Sequence, residues 1–491
     1  MSSSTCWRRN LTLLKGCCAA ILPFYTFLTA NADSGISSSI LLADSLPQRF
    51  QTEELKEIPM PDSDTWWEAF DDTVLSSLIN AAVANNYNLR AALKRIEASR
   101  QMLRSTYSAY YPTLGVYTGL DFNKDSDREK LPYVKEHDNS SFNIGTTLSW
   151  EIDIFGRVAE KARGGKASIN VSRLEYEGMM LSIAAEIATD YSELRMYQRQ
   201  LNMARIHLAS QTEMLRIVEA RFEAGLVSKL DVAQARNTLN STRLMIPCLE
   251  ANIITTRNAI ATLCGLNEEK ISNMIDEDTT PSVVTPPGIG TPADLVRRRP
   301  DVAEAEQQIE VLTSSLGVAK KEWLPTLTVN ATAETSAHSF GDLFGFRSMH
   351  YSVEPQLSWT IFDGFSRQAG IAEAKAELEA QIDSYNMTLL TAVQEVNNAI
   401  ASYESAVREV ELYKEVIKDS QDVLNLATER YKLGLTDFSD VATAQISLLS
   451  QQTSYESASA NCFNTVVARY KARGGGSGSY TPLTLPPILR V

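Results

Sequence analysis

The sequence has neither a long apolar run nor a surplus of positive charge. None of its apolar stretches approaches the roughly 18–20 residues that a membrane-spanning helix needs. Its 46 Lys and Arg residues stand against 60 Asp and Glu residues, which gives a formal net charge of −14. Nucleic-acid-binding proteins usually carry clustered Lys and Arg, so this charge argues against a nucleic-acid partner.

The sequence is also poor in the motifs of common enzymes. It has four His residues, no His-Glu-x-x-His pair, no phosphate-binding loop and no Gly-x-Ser-x-Gly nucleophile turn. The segment Gly164-Gly165-Lys166 lacks the earlier glycine that a phosphate loop requires. We therefore expect no enzyme activity, no catalytic residue, no cofactor and no metal site.

Cysteine is scarce after residue 32. Only Cys248, Cys264 and Cys462 occur in that part of the chain. An odd number of cysteines does not form a closed disulfide framework. Cys248 and Cys264 lie on one predicted helix, where their separation spans about 24 Å, and this is beyond disulfide reach. We expect all three to be small core residues.

The N-terminus has the pattern of an export signal. Arg8, Arg9 and Lys15 precede an apolar segment over 17–28, and Ala30-Asn31-Ala32 fits the small-x-small pattern of a cleavage site. Cleavage after Ala32 is the first interpretation. A lipoprotein signal is the alternative, because Leu14-Lys15-Gly16 places a small residue before Cys17, which would then carry the lipid.

The chain contains an internal repeat, which indicates duplication of a whole unit. The segment around Pro112 recurs around Pro325, at an offset of 213 residues. The segment from Arg221 to Ala235 recurs from Arg430 to Ala444, at an offset of 209 residues. A unit of this length is too long for a solenoid repeat.

Each repeat contains two segments that alternate between apolar and polar residues. They cover 113–122, 142–153, 327–332 and 351–361. Strict alternation predicts strands with one apolar and one polar face, and segments near ten residues suit a tilted membrane strand. Four strands cannot close around a water-filled lumen, so a single chain would be insufficient. Three chains of four strands would give about twelve, within the range of outer-membrane barrels. A soluble sheet with one solvent-exposed face is the alternative interpretation of the alternation.

We expect Leu148, Trp150, Leu357 and Trp359 to face lipid or the membrane interface. The polar residues expected to line the lumen are Thr147, Ser149, Ser358 and Thr360.

Long helices are predicted for most of the remaining chain. The proline-free stretches 156–224 and 365–433 could each reach about 100 Å as helices, and 229–263 and 438–472 return after short Gly-containing turns. Pro247 suggests a kink in the first returning helix. Apolar residues at steps of three and four from Ile371 to Tyr413 predict a coiled-coil seam.

Three motifs between Trp66 and Tyr470 resemble those of the TolC-type outer-membrane factor family. They are the helix start Arg299-Pro300-Asp301, the helix-to-strand turns at Pro112 and Pro325, and the tip turns at Gly225 and Gly434. The segment Trp67 to Leu75 further resembles the OprM- or NodT-like branch, which serves resistance-nodulation-division (RND) pumps.

The resemblance implies a homotrimer with a twelve-stranded barrel in the outer membrane of a Gram-negative bacterium and a twelve-helix periplasmic tunnel. It implies two partners, a periplasmic adaptor protein and an inner-membrane RND pump. It also implies passive export of small molecules such as drugs, toxic compounds or metals. Export of proteins by a type I secretion system and a structural coiled-coil surface protein are the alternatives.

The resemblance also implies functional residues at the helix tips. The aperture would be formed at Tyr431, Thr436, Asp437, Asp440 and Thr443, with Asp440 contributing to an acidic ring from three chains. Two positions depart from some family members, because Thr436 replaces a basic residue and Thr443 a second ring Asp; Asp437 would compensate. Capping of the returning helix is the other interpretation of Asp440.

The adaptor would dock at the two turns. Leu226, Val227 and Leu435 are apolar residues where exposed loops usually place polar ones. Gly225 and Gly434 would permit the tight turns themselves.

The features described above divide the chain into predicted segments, and these give its predicted organisation. It consists of a signal peptide over 1–32, a periplasmic N-terminal segment over 33–73, a first repeat over 74–265, an equatorial linker over 266–291, a second repeat over 292–472 and a C-terminal periplasmic segment over 473–491.

Overall fold

The computed structural model describes residues 65–123, 139–275 and 298–475. The predicted signal peptide, Cys17, most of the equatorial linker and the C-terminal segment after residue 475 lie outside the described residues. Within the described ranges, the elements follow one another twice in the same order, as helix, strand, strand and two long helices.

The first repeat holds α1 (Thr73–Asn85), α2 (Tyr87–Ser108), β1 (Thr113–Asn123), β2 (Asn139–Ile152), α3 (Arg157–Glu223), α4 (Lys229–Cys264) and the short helix α5 (Glu268–Met274). The second holds α6 (Pro300–Lys321), β3 (Thr326–Ala337), β4 (Met349–Ser358), α7 (Ser366–Lys432) and α8 (Phe438–Ala472).

Two long helices determine the length of the molecule. Helices α3 and α7 each contain 67 residues, which corresponds to about 100 Å at 1.5 Å per residue. Helix α4 packs along α3, and α8 packs along α7 and α3. The predicted helices are confirmed, and α4 continues through Pro247. No helix in the three described ranges combines the length and apolarity that crossing a membrane requires.

The four strands form one antiparallel sheet in the order β1-β2-β3-β4. Strand β1 pairs with β2, β2 with β3, and β3 with β4, so the two repeats join at the β2–β3 pair. The predicted alternating strands are therefore confirmed. Among the described residues, β1 and β4 each have a strand neighbour on one side only.

The end of β4 corrects the predicted strand, which extended to Ile361. The last β3–β4 pair joins Thr326 to Ser358. Pro325 precedes Thr326 and has no backbone N–H to continue the ladder. Because β4 pairs only with β3, the strand ends at Ser358 and Trp359 and Thr360 follow it.

The main apolar core surrounds the middle of α3. Trp66, Phe70 and Tyr470 lie close together, with Trp66 stacked on Tyr470 at 5.2 Å between ring centroids and Phe70 4.6 Å from Phe463. Residues of α1, α3, α4 and α8 complete this core. Cys264 and Cys462 are buried as predicted, but Cys248 is exposed because Leu249 takes the buried position beside it.

The Arg-Pro-Asp motif joins three helices near the start of the second repeat. Pro300 occupies the first turn of α6, where its missing N–H costs no hydrogen bond. The buried Arg299 guanidinium bonds Asp301 at 2.6 Å, Glu395 of α7 at 2.7 Å and the Ala472 carbonyl of α8 at 2.8 Å. One side chain thus fixes the start of α6 to α7 and α8.

Asp72 connects the N-terminal segment to the core. Its carboxylate accepts hydrogen bonds from the Val74 and Leu75 amides, both at 2.9 Å, and caps α1. It also accepts from the buried Tyr191 hydroxyl of α3 at 2.9 Å. That hydroxyl accepts in turn from Arg195 at 3.2 Å.

We predict that Asp72→Ala lowers the free energy of unfolding by about 2–3 kcal/mol, because it removes a helix cap and a buried hydrogen bond together. Thermal unfolding of the purified protein, followed by circular dichroism, measures the change. Asp71→Asn is the matched control, since Asp71 is exposed with φ of 51° and Asn tolerates that conformation. Equal midpoints for the two variants would contradict the assignment.

Candidate functional site: the polar sheet face and the helix tips

One face of the sheet is polar along its length. The register sets Thr147 opposite Thr332, and Ser149 opposite Asn330. Directly opposed residues in antiparallel strands point to the same face. Ser358 belongs to this face through its pairing with Thr326. The other polar members are Thr113, Tyr117, Asp121, Asn143, Glu151, Thr328, Glu334, Ser352, Glu354 and Gln356.

Side chains on this face bond to one another across the strands. The Tyr117 hydroxyl donates to the Glu334 carboxylate, and the Ser149 hydroxyl donates to the Asn330 side-chain oxygen at 2.9 Å. Gly145 lies between Tyr117 and Glu334, where an added Cβ would stand 2.8 Å from atoms of both. A glycine at this position therefore leaves room for the polar pair.

The opposite face of the sheet is apolar and exposed in the protomer. Leu148 pairs with Leu114 and Ala331, and Leu357 pairs with Leu327. Most large side chains on this face are exposed, among them Leu114, Val116, Leu120, Phe122, Tyr351, Val353 and Leu357. An exposed apolar surface of this kind marks contact with lipid or with another protein.

The same tryptophan contact occurs in both repeats where the strands meet the helices. The Trp150 indole N–H donates to the Tyr110 carbonyl at 3.0 Å. The Trp359 indole N–H donates to the Trp323 carbonyl, also at 3.0 Å. Side chains with an apolar ring and one polar donor are typical of membrane–water interfaces. Thr360 lies just past this contact, where its carbonyl accepts a hydrogen bond from Arg367.

At the other end of the helices, Gly225 and Gly434 make identical turns. Each has φ of +73°, a left-handed conformation that glycine adopts without strain. The Leu226 amide bonds the Arg221 carbonyl, and the Leu435 amide bonds the Arg430 carbonyl, both at 2.9 Å. This pattern is the Schellman motif that ends a helix.

The apolar residues of the two turns are not equally exposed. Leu226 and Leu435 are 71% and 65% exposed. Val227 is half-buried and packs against the cluster that joins the two tips.

The returning helices begin differently in the two repeats. Ser228 and Asp231 form a reciprocal capping box before α4. In the second repeat, Asp437 occupies the cap position without a side-chain cap bond. Asp440 lies in the first turn of α8 and accepts a hydrogen bond from the Thr436 hydroxyl. Asp440 is therefore not the capping residue of α8.

Among the predicted aperture residues, Asp440 contacts Thr436 through its side chain and Asp437 through the backbone, where the Asp440 amide donates to the Asp437 carbonyl at 3.3 Å. Thr443 is exposed one turn further along α8, where its hydroxyl donates to the Ser439 carbonyl at 2.8 Å. Tyr431 is only 3% exposed and packs against Phe438, with 5.5 Å between the ring centroids. Burial raises the pKa of the Tyr431 phenol, so this ring stays neutral.

Arg221 is a tip residue that the sequence interpretation missed. Its guanidinium lies 5.0 Å from the centre of the Tyr431 ring. It donates to the Tyr431 carbonyl at 2.9 Å and to the Lys432 carbonyl at 2.8 Å. These contacts join the tips of α3 and α7 within one protomer. The signal available in the sequence was the recurrence of Arg at 221 and 430 in the two copies of the tip motif.

The model of the outer membrane efflux protein family matches residues 78–266 and 291–475, one segment for each repeat. The chain belongs to the outer membrane efflux protein family. The match confirms the resemblance given by the sequence motifs, and both the family and the fold are those of efflux channels.

Known relatives and a solved structure agree with this assignment. The chain is 27% identical to nodulation protein T of Rhizobium leguminosarum bv. trifolii over 399 residues, which span 79% of this chain and 83% of that protein. It is 27% identical to the solvent efflux pump outer membrane protein SrpC of Pseudomonas putida over 417 residues, which span 83% and 87% of the two chains. The outer-membrane channel OprN superimposes with a TM-score of 0.77 at 26% identity, covering 88% of this chain and 99% of that one.

The protein is therefore the outer-membrane channel component of an efflux system in a Gram-negative bacterium. The predicted location and the predicted role as an efflux channel are confirmed. Among the described residues, no group of three or more His, Cys, Asp or Glu side chains could hold a metal ion.

The two faces of the sheet predict different reactivity toward water-soluble reagents. In membranes, Thr147→Cys and Ser358→Cys should react rapidly with a small charged thiol reagent, because both positions lie on the polar face. Leu148→Cys and Leu357→Cys should react slowly, since their face would be covered by lipid. Exposed Cys248 is replaced by Ser in every variant. Equal labelling of the two pairs would rule out a water-filled conduit along the polar face.

Proposed function

We propose that three copies of the chain assemble into one channel, with a twelve-stranded barrel followed by a twelve-helix tunnel. The observation that carries the proposal is the four-stranded sheet, which has one polar face and one apolar face and, among the described residues, an unpaired edge at β1 and at β4. Unpaired strand edges cannot remain in lipid, where every backbone polar group needs a partner. Pairing β4 of one copy with β1 of the next removes all the edges at once.

Native mass spectrometry of the full chain in detergent tests the assembly directly. We expect a complex of three chains, whereas a monomer or dimer would contradict the proposed closure.

The direction of the channel follows from the two ends of the molecule. The exposed apolar sheet face and the two tryptophan contacts suit the outer membrane and its periplasmic boundary. The helices would then extend about 100 Å into the periplasm and end at the Gly225 and Gly434 turns. Polar residues on the sheet face would line the exit for cargo.

The helix tips are the proposed docking site for a periplasmic adaptor and, through it, an RND pump. Leu226 and Leu435 project from turns that would otherwise carry polar residues, and Leu230 and Leu433 are also exposed beside them. Exposed apolar residues clustered at one end of a long molecule favour contact with a protein partner. The SrpC relative is by name part of a solvent efflux pump, which supports small molecules as the cargo.

A deletion strain complemented with the gene tests the cargo class. We expect the deletion to increase sensitivity to small toxic compounds and the gene to restore resistance. Loss of a secreted protein without any change in compound sensitivity would point to protein secretion instead.

We predict that Gly434→Val abolishes efflux while the trimer forms at normal levels. A β-branched residue at φ of +73° is strained, and the Leu435 turn would have to change shape. Efflux of a fluorescent substrate from cells measures the effect. Gly370→Ala is the control, because Gly370 lies within α7 with open space around it. Intact efflux in Gly434→Val cells would refute the docking role of this turn.

We predict that Asp440→Asn weakens cation selectivity in planar bilayers. Threefold symmetry would bring three Asp440 carboxylates toward one axis, where close negative charges attract cations. Reversal potentials in a salt gradient, and block by multivalent cations, measure the change. Asp422→Asn removes the same charge from an exposed position on α7 and should leave both unchanged. If the two variants behave alike, Asp440 does not form the proposed ring.

A further inference from the structure

The two tip arginines have equivalent positions but different surroundings. Arg221 binds the Tyr431 ring and the carbonyls of Tyr431 and Lys432. Arg430 lies 209 residues later in the same motif and is exposed. Within the described part of the protomer, its guanidinium makes no hydrogen bond, ion pair or ring contact. The arginine of the first repeat therefore binds groups inside the protomer, whereas the arginine of the second repeat could bind a group outside it.

The repeat also predicts what Arg430 should bind. The counterparts of Tyr431 and Lys432 are Phe222 and Glu223, at the end of α3. Phe222 is 43% exposed, in contrast to the buried Tyr431. The Glu223 carbonyl accepts no hydrogen bond among the described residues, so an acceptor and an aromatic face are both free. Neither group is contacted by Arg430 of the same protomer.

A ring of three copies would bring these unused partners together. Helix α3 contacts α8 within the protomer, so the pair of α7 and α8 flanks α3 on one side. In a closed ring, the far side of α7 faces the α3–α4 pair of the next copy. Arg430 would then lie against the tip of α3 in the next copy, in the same way that Arg221 lies against the tip of α7 within one protomer.

We infer that Arg430 of each copy binds the Phe222 and Glu223 carbonyls and the Phe222 ring of the neighbouring copy. This inference rests on the proposed trimer. The aperture would then be surrounded by six arginine contacts, three within protomers and three between them. Arginine suits this role because its planar group can donate to two carbonyls and stack on a ring at the same time.

The contacts between copies would be the weaker ones. Within a protomer, fully buried Phe438 and Tyr431 pack beside Val218 and Val232. In the junction between copies, the repeat puts Lys229 where Phe438 lies within the protomer, and Phe222 where Tyr431 lies. A lysine there removes most of the apolar packing, so Arg430 supplies a larger share of the attraction. Opening of the aperture would separate copies at this junction and leave each protomer's own pair of tips together.

Cross-linking of paired cysteines tests where Arg430 lies. Arg430→Cys with Glu223→Cys, in a Cys248→Ser background, should give covalent dimers and trimers with a short thiol cross-linker. The matched pair, Arg221→Cys with Lys432→Cys, has the same relation inside one protomer and should give only a bridged monomer. The samples are full-length protein in detergent, separated on a denaturing gel.

The outcomes separate this inference from the proposed trimer. Absence of a three-chain complex in the unmodified protein would overturn the trimer itself. A normal trimer in which the Arg430–Glu223 pair gives only monomers would overturn the contact alone.

Single-channel recording tests the function of the contact. Arg430→Ala should raise the open probability about tenfold, as expected for loss of charge-assisted hydrogen bonds. Arg430→Lys should restore part of the closed state, because lysine keeps the charge but not the paired donors. Exposed Arg408→Ala on the same helix should behave like the unmodified channel. An Arg430→Ala channel with unchanged open probability would show that the contact does not hold the aperture closed.

Discussion

Backbone hydrogen bonding at the two free edges of the four-stranded sheet constrains the rest of the structure. Within the described residues, β1 and β4 each pair on one side, and an unsatisfied backbone group in lipid costs several kcal/mol. The sheet also exposes a continuous apolar face that water does not solvate well. The proposed closure with further copies would satisfy both needs, and assembly and membrane insertion would then meet a single requirement.

Duplication supplies the pieces for that closure with small but consequential differences. The tryptophan-to-carbonyl contact and the Schellman turn occur in both repeats with closely similar distances. The starts of the returning helices differ, because Ser228 and Asp231 form a capping box and Asp440 bonds Thr436. Identical backbone turns therefore carry different side-chain chemistry, so the two tips of the protomer are structurally similar but electrostatically distinct.

Local patterns in the sequence predicted the elements well. Period-two alternation identified all four strands. The absence of proline identified α3 and α7, and apolar steps of three and four further supported α7. These features are local consequences of side-chain direction along the backbone. The predicted seam of α7 is buried at Leu378, Leu389 and Val396, where α6 or α8 packs against it.

What the sequence could not predict depends on distant contacts. Nothing near Tyr431 indicates that Arg221, 210 positions earlier, covers it. The end of β4 depended on Pro325, which precedes the partner strand β3. The exposure of Cys248 depended on which face of α4 meets α3. Each case was decided by a neighbour far away in the chain, which periodicity does not encode.

The contacts between the helices differ in strength along the length of the molecule. Near the middle, the buried Arg299 bonds two carboxylates and a carbonyl. Breaking one partner of such a buried group costs about 3–5 kcal/mol. At the tips, Tyr431 and Phe438 are buried, but Arg221 is half-buried and Arg430 is exposed, and an exposed charged pair contributes only about 0–1 kcal/mol. We therefore expect the exposed contacts at the tips to break more easily than those of the midsection. Because α3 and α7 are continuous between the two regions, a small separation at the tips would widen the proposed aperture while the sheet at the opposite end keeps its pairing.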